Sequence, residues 1–241
     1  MSHGGTPTPE PPERVGRRPE LVAIGLGLGA AVVLPLAVLV RDRWSPLAQL
    51  DSSVEAGAHR AVVAHEWLRV LALVVTWAGA PVVIEVATAL LCLELLQRLR
   101  RRTAGYLACC VVGAYALSTT GKLAVGRARP AFPDPVSQAS GASFPSGHAT
   151  GAAAFYLAVA VVLAGRSPRR RPLLTIAVLV PLAVAATRVL LGVHYLTDVV
   201  AGLVIGWGWT IACTALFSAW RADEEPPAPV LESGVEPEDE A

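Results

Sequence analysis

The sequence predicts an all-α polytopic membrane protein, with six transmembrane helices in a bundle and a short amphipathic helix on the outer face. Three observations carry that prediction. The 241 residues are 54% hydrophobic and only 16% charged, against about 45–50% and about 25% in soluble domains. The apolar residues are gathered into runs of roughly 20, the length a helix needs to cross a hydrocarbon core about 30 Å thick. The charges collect between those runs, mostly as arginine clusters.

Six runs read as spans, at 21–40, 68–96, 104–124, 149–164, 172–191 and 196–220. Between the first two lies 41–67. There Val54, Ala58, Ala61, Val62, His65 and Leu68 recur at helical spacing, with Glu55, Arg60 and Glu66 at polar positions. That pattern predicts an amphipathic helix lying on the membrane surface. Residues 1–20 are polar and proline-rich, and 221–241 are acidic with several prolines, so both read as disordered tails around a membrane domain at 21–220. The polar start is too long for a cleaved signal peptide.

Arginine placement sets the orientation. Arg14, Arg17 and Arg18 precede the first span. Arg98, Arg100, Arg101 and Arg102 follow the second, and Arg166, Arg169, Arg170 and Arg171 follow the fourth. With six spans, all three clusters fall on one side, expected to be the cytoplasmic face of the plasma membrane, with both termini. The other face receives 41–67, 122–148 and the turn at 192–194. The four cysteines, Cys92, Cys109, Cys110 and Cys213, all sit in apolar runs without metal-ligand spacing. No metal, cofactor or nucleic-acid partner is expected.

The polar residues that the apolar pattern does not explain cluster on the outer face. Lys122 is the only lysine in a chain that otherwise uses arginine. A helix-end lysine can simply snorkel, but it can also serve as a compact point charge for phosphate. If its helix continues, Arg129 lies two turns on along the same face, before Pro130 favours departure from the helix. A loop-like stretch then leads to Pro145-Ser146-Gly147-His148 at the start of the fourth span. There Ser146 and Gly147 are expected to expose N–H groups at a helix N-terminus, where anions bind. Arg188 closes the fifth span, and an arginine at that depth calls for an anionic partner. His194 and Asp198 are four apart, so on a helix the carboxylate can fix the imidazole tautomer and leave Nε2 free as nucleophile or base. Each feature alone has a bland reading. Together they place three cations, backbone donors and acid–base groups on one membrane face, the mixture a phosphate needs.

In order, Lys122-x6-Arg129-Pro130, Pro145-Ser146-Gly147-His148 and Arg188-x5-His194-x3-Asp198 resemble the type 2 phosphatidic acid phosphatase (PAP2) superfamily, in its membrane lipid phosphatase branch. The superfamily also includes vanadium haloperoxidases and glucose-6-phosphatase. The resemblance covers about 118–202 directly, and the span layout extends it to 21–220. It implies a lipid phosphate or diphosphate phosphatase with an outer-face site. His194 would attack phosphorus, Asp198 would orient it, and His148 would protonate the leaving alkoxide and then activate water. Lys122, Arg129, Arg188 and the Ser146–Gly147 N–H groups would hold the phosphate oxygens. Arg127 would assist or face lipid headgroups. One departure is Thr187, where the family usually has serine; the hydroxyl is kept. A vanadate-dependent haloperoxidase is disfavoured because nearly all the chain is committed to membrane. A silent transporter or binding protein is disfavoured because His148, His194 and Asp198 are all present. Of the acids inside spans, Glu85 is expected to bond between helices and Glu94 to reach toward the arginine cluster.

Overall fold

The computed structural model describes residues 19–133, 135–137, 139–164 and 170–222. Both predicted tails lie outside the described residues apart from the helical 19–20 and 221–222. The described chain is helical: α1 (Pro19–Arg41), α2 (Ser45–Ala64), α3 (Glu66–Thr76), α4 (Pro81–Gln97), α5 (Arg101–Val125), α6 (Gly147–Ala164), α7 (Arg170–Leu190) and α8 (Leu196–Ala222). Six segments are long and apolar enough to cross a membrane, matching the six predicted spans.

The second of these is not one helix. Residues 77–79 form a 3-10 turn, Ala80 is extended, and α4 starts afresh at Pro81. Proline lacks the N–H that would continue the helix and disfavours helical backbone before it. Gly79 is tight in this break, since a Cβ there would collide with Val184 of α7. The bend sends α3 across α7 and α4 along α5.

The centre of the bundle is α6, which packs on α5, α7 and α8, while α1 lies along α8. Helices in a bilayer gain little from apolar burial against one another and instead associate through close packing. The residues of α6 suit that: Ala149, Ala152, Ala153, Ala154, Ala158 and Ala160 are buried. On α8, Gly202 and Gly206 meet this surface at a four-residue interval. A Cβ on Gly206 would lie 2.5 Å from the Thr150 carbonyl and 2.6 Å from the Ala153 Cβ. Gly206→Leu is therefore expected to force α6 and α8 apart and cost about 3 kcal/mol or more, at the upper end for overpacking. Loss of helical signal on heating in detergent would report it as a lowered melting temperature.

The expected amphipathic helix forms as α2, but its apolar stripe does not lie on the bilayer. Val54 and Ala58 pack on the cluster of Ala149, Ala185, Val189, Val199 and Leu203, so α2 closes one end of the bundle. The same stripe buries Asp51 completely and Glu55 nearly so. Of the acids within spans, Glu94 accepts from Arg98 at 2.6 Å as expected. Glu85 is exposed and makes no hydrogen bond among the described residues, which corrects its expected interhelical role. The cysteines are all free.

Candidate active site

Every motif residue comes to the end of the bundle closed by α2. α5 ends sooner than the proline rule suggests, because Gly126 takes a left-handed conformation (φ 63°) and caps the helix by donating to the Lys122 carbonyl at 3.0 Å. Arg129 therefore lies beyond the helix, and the shared helical face expected for Lys122 and Arg129 does not exist. Tertiary structure brings them together instead. The Ser143 N–H donates to the Arg127 carbonyl at 2.8 Å, and the Ser143 hydroxyl donates to the Ala128 carbonyl at 3.1 Å. This clasp fixes 127–129 beside Ser146. Lys122 then donates to the Ala142 carbonyl at 2.8 Å. Arg129 donates to the carbonyls of Gly141 at 3.0 Å, Ser140 at 3.1 Å and Val193 at 2.8 Å.

His194 sits in the turn between α7 and α8, only 2% exposed. Its Nδ1 is 3.3 Å from Asp198 Oδ2 and its Nε2 is 3.0 Å from Arg129 Nη1. A guanidinium only donates, so Nε2 accepts and the proton belongs on Nδ1, directed at the carboxylate. Burial pulls the His194 pKa down to about 4, with the Arg129 and Arg188 charges acting the same way and Asp198 opposing. At neutral pH the ring is uncharged and carries a lone pair on Nε2, the form a nucleophile needs.

Asp198, in the first turn of α8, is fully buried. Oδ2 also accepts the Tyr195 N–H at 3.0 Å, while Oδ1 accepts Arg127 at 2.7 Å. Arg188 is 5% exposed and donates from Nη1 to Thr76 at 2.9 Å, at the end of α3. His148 is half-buried in the first turn of α6, directly after Ser146 and Gly147, at the same end of the bundle. Two buried polar atoms here lack any partner: Ser146 Oγ and Arg188 Nε. Unsatisfied buried donors are costly. A bound anion would satisfy both.

The expected contacts change in three places. The Ser146 N–H is not free for an anion, because it donates to the Asp198 carbonyl at 2.9 Å. What Ser146 offers is its hydroxyl; Gly147 opens α6 beside it. The Thr187 hydroxyl donates to the Val184 carbonyl of its own helix at 2.6 Å. Arg127 does not face headgroups. Besides Asp198 it binds Asp51 at 2.7 Å and Thr197 at 2.8 Å, with its guanidinium 3.8 Å above the Tyr195 ring. Burial opposes its charge, but Asp198 and Asp51 outweigh that and raise its pKa. Asp51, Thr76 and Thr197 belong to no motif. The one signal for Asp51 was a carboxylate on the apolar stripe of α2, three residues before Val54 and seven before Ala58.

The fold and this cluster define an integral membrane protein with a buried polar centre, built around a histidine–carboxylate pair and lined by arginine and lysine. The PAP2 superfamily model matches residues 103–222, and the chain belongs to that superfamily. It is 39% identical over 123 residues to a lipid A 1-phosphatase of Rhizobium etli, covering 47% of this chain and 50% of that protein. It is 37% identical over 86 residues to phosphatidylglycerophosphatase B of Bacillus subtilis, covering 34% and 42%. The chain thus spans about half the length or less of these curated relatives. In fold it is similar to the crystal structure of a transmembrane PAP2 type phosphatidylglycerolphosphate phosphatase from Bacillus subtilis. The TM-score is 0.65 at 23% identity, covering 86% of this chain and 96% of that one.

Proposed function

We propose that this protein is a lipid phosphate phosphatase that works through a phosphohistidine at the outer membrane face. The observation that carries the reading is the His194 ring, with Nδ1 on Asp198 and Nε2 presented to Arg129 among the other cations. Family membership and the phosphatase names of the relatives agree with it.

In the first step, His194 Nε2 forms a bond to phosphorus as the bond from phosphorus to the lipid oxygen breaks. His148 gives its proton to the leaving oxygen. In the second step, His148 takes a proton from water, whose oxygen attacks phosphorus. The bond to Nε2 breaks and phosphate leaves with the histidine restored. Lys122, Arg129, Arg188, the Ser146 hydroxyl and the Gly147 N–H hold the equatorial oxygens, where charge is concentrated in the transition state. Asp198 keeps the Nδ1 proton in place throughout.

The outer-face assignment draws on charge. Arg98, Arg100, Arg101 and Arg102 lie at the α4–α5 turn, and Arg170 and Arg171 open α7, at the bundle end away from the site. Trp44 and Trp67 are 50% and 65% exposed around the site end, as interfacial anchors would be. A cysteine in place of the exposed Ser140 is expected to react with an impermeant maleimide added outside intact cells. Reaction only after the cytoplasmic face is opened would invert the topology.

A lipid headgroup at this depth meets the cations while its chains stay in hydrocarbon. The substrate is thus a phosphomonoester or diphosphate on a lipid: phosphatidic acid, phosphatidylglycerol phosphate, an isoprenoid diphosphate or a phosphorylated glycolipid. The test is phosphate release by purified protein from these lipids and from a water-soluble phosphomonoester. At least one lipid is expected to turn over far faster than the soluble ester. No release from any lipid, or equal rates on the soluble ester, would overturn the proposal.

A further inference from the structure

Asp51 stands outside the three motifs, on a helix that the phosphate chemistry does not call for. It is nonetheless fully buried and makes three close contacts in the site. Oδ1 accepts the Thr197 N–H at 3.0 Å, and Oδ2 accepts the Thr197 hydroxyl at 2.6 Å and Arg127 Nη2 at 2.7 Å. Arg127 turns its other nitrogen to Asp198 Oδ1 at 2.7 Å. The chain of contacts thus runs His194, Asp198, Arg127, Asp51. We propose that Asp51 is a positioning residue of the proposed reaction, whose charge, relayed through Arg127, keeps the support beneath His194 anionic.

Charge balance in this buried place decides what Asp51 does. A guanidinium bound to Asp198 alone would neutralise the carboxylate on which His194 depends. With Asp51 on its other side, one cation stands between two anions and the three groups sum to one negative charge. A third acid, Glu55, is near; burial and then Asp51 raise its pKa, while Arg127 lowers it. Buried ion networks are strong in their effect on neighbours because solvent screens them little. The two carboxylates grip Arg127 from two sides above the Tyr195 ring, so its guanidinium is shared between them and does not grip Asp198 alone.

This inference rests on His194 being the nucleophile. When Nε2 bonds to phosphorus while Nδ1 keeps its proton, the ring becomes cationic. An anionic support lowers the energy of that cation. It speeds formation of the phosphoenzyme and slows its breakdown, in which the ring returns to neutral. Removing the Asp51 charge and removing the Arg127 charge therefore act in opposite directions on the ratio of the two rates.

The experiment uses the full chain in detergent with radiolabelled phosphatidic acid in mixed micelles. Samples are quenched rapidly into alkali, which preserves phosphohistidine, and the label on the protein is followed in time. Asp51→Asn is expected to lower the ratio of formation to decay about tenfold, the scale of one charge acting through a partly buried network. Arg127→Gln is expected to raise that ratio and make the phosphoenzyme accumulate. Thr197→Val, which removes a hydroxyl bonded to both Asp51 and Arg127 at constant charge, is expected to leave the ratio near that of the unaltered protein. A network that only braces the fold would shift Asp51→Asn and Arg127→Gln the same way, or neither, and that result overturns the inference. If Asp51→Asn does not fold, the sign of the Arg127→Gln shift decides. His194→Ala separates this from the reading beneath it. Label or turnover retained there removes the nucleophile itself, whereas a dead His194→Ala with an unshifted Arg127→Gln ratio removes only the role of Asp51.

Discussion

Replacing His194 by alanine is expected to lower phosphate release by about 10⁴-fold or more while the protein still folds. The size follows from the role: without the nucleophile the two-step route is lost, and what remains is the pull of the cations on a bound phosphate. The fold should survive because each neighbour keeps other partners. Asp198 retains the Tyr195 N–H and Arg127, and Arg129 retains the carbonyls of Val193, Ser140 and Gly141. The check pairs phosphate release with a melting curve in the same detergent. Activity within tenfold of the unaltered protein would refute the nucleophile assignment.

Arg129→Ala is expected to give the next largest loss, about 10²–10³ in kcat/KM, the range for removing one donor that meets developing charge. Arg129 is the cation that touches the Nε2 side of His194, so the loss should fall mainly on kcat. A lysine at 129 should restore little, because a single ammonium cannot reproduce a planar fork that reaches Val193, Gly141 and Ser140 at once. Steady-state kinetics on the preferred lipid separates the outcomes. A rise in KM with kcat unchanged would mean that Arg129 only docks the headgroup.

The spans and the motif residues were readable from the chain because each leaves a local mark. An apolar run of membrane length, a lone lysine, or a histidine four residues before an aspartate needs no knowledge of the fold. The break at 77–81 was hidden because its residues are as apolar as their surroundings, and Pro81 was the sole hint. The conditional continuation of α5 to Arg129 fails for a related reason: Pro130 marks a later stop, whereas Gly126 already ends the helix. The Asp51–Arg127–Asp198 network joins α2, the segment after α5, and α8, across 76 and 71 residues of chain. No spacing rule spans such distances. The same holds for the Ser146 N–H, whose acceptor on Asp198 exists only once α6 and α8 are side by side.

The carbonyls of Ser140, Gly141 and Ala142 have a consequence for ligands that compete for the pocket. They occupy Lys122 and Arg129, the donors that the proposed function assigns to the phosphate, so on that proposal an incoming phosphoryl group competes with the protein's own backbone. Any anion must displace those carbonyls, and its apparent affinity drops by the fraction of time the backbone is in place. A lipid held in the same membrane meets the pocket at high effective concentration and overcomes the competition. Inorganic phosphate released into water does not have that advantage, so the proposed site is expected to shed its product and to resist inhibition by it.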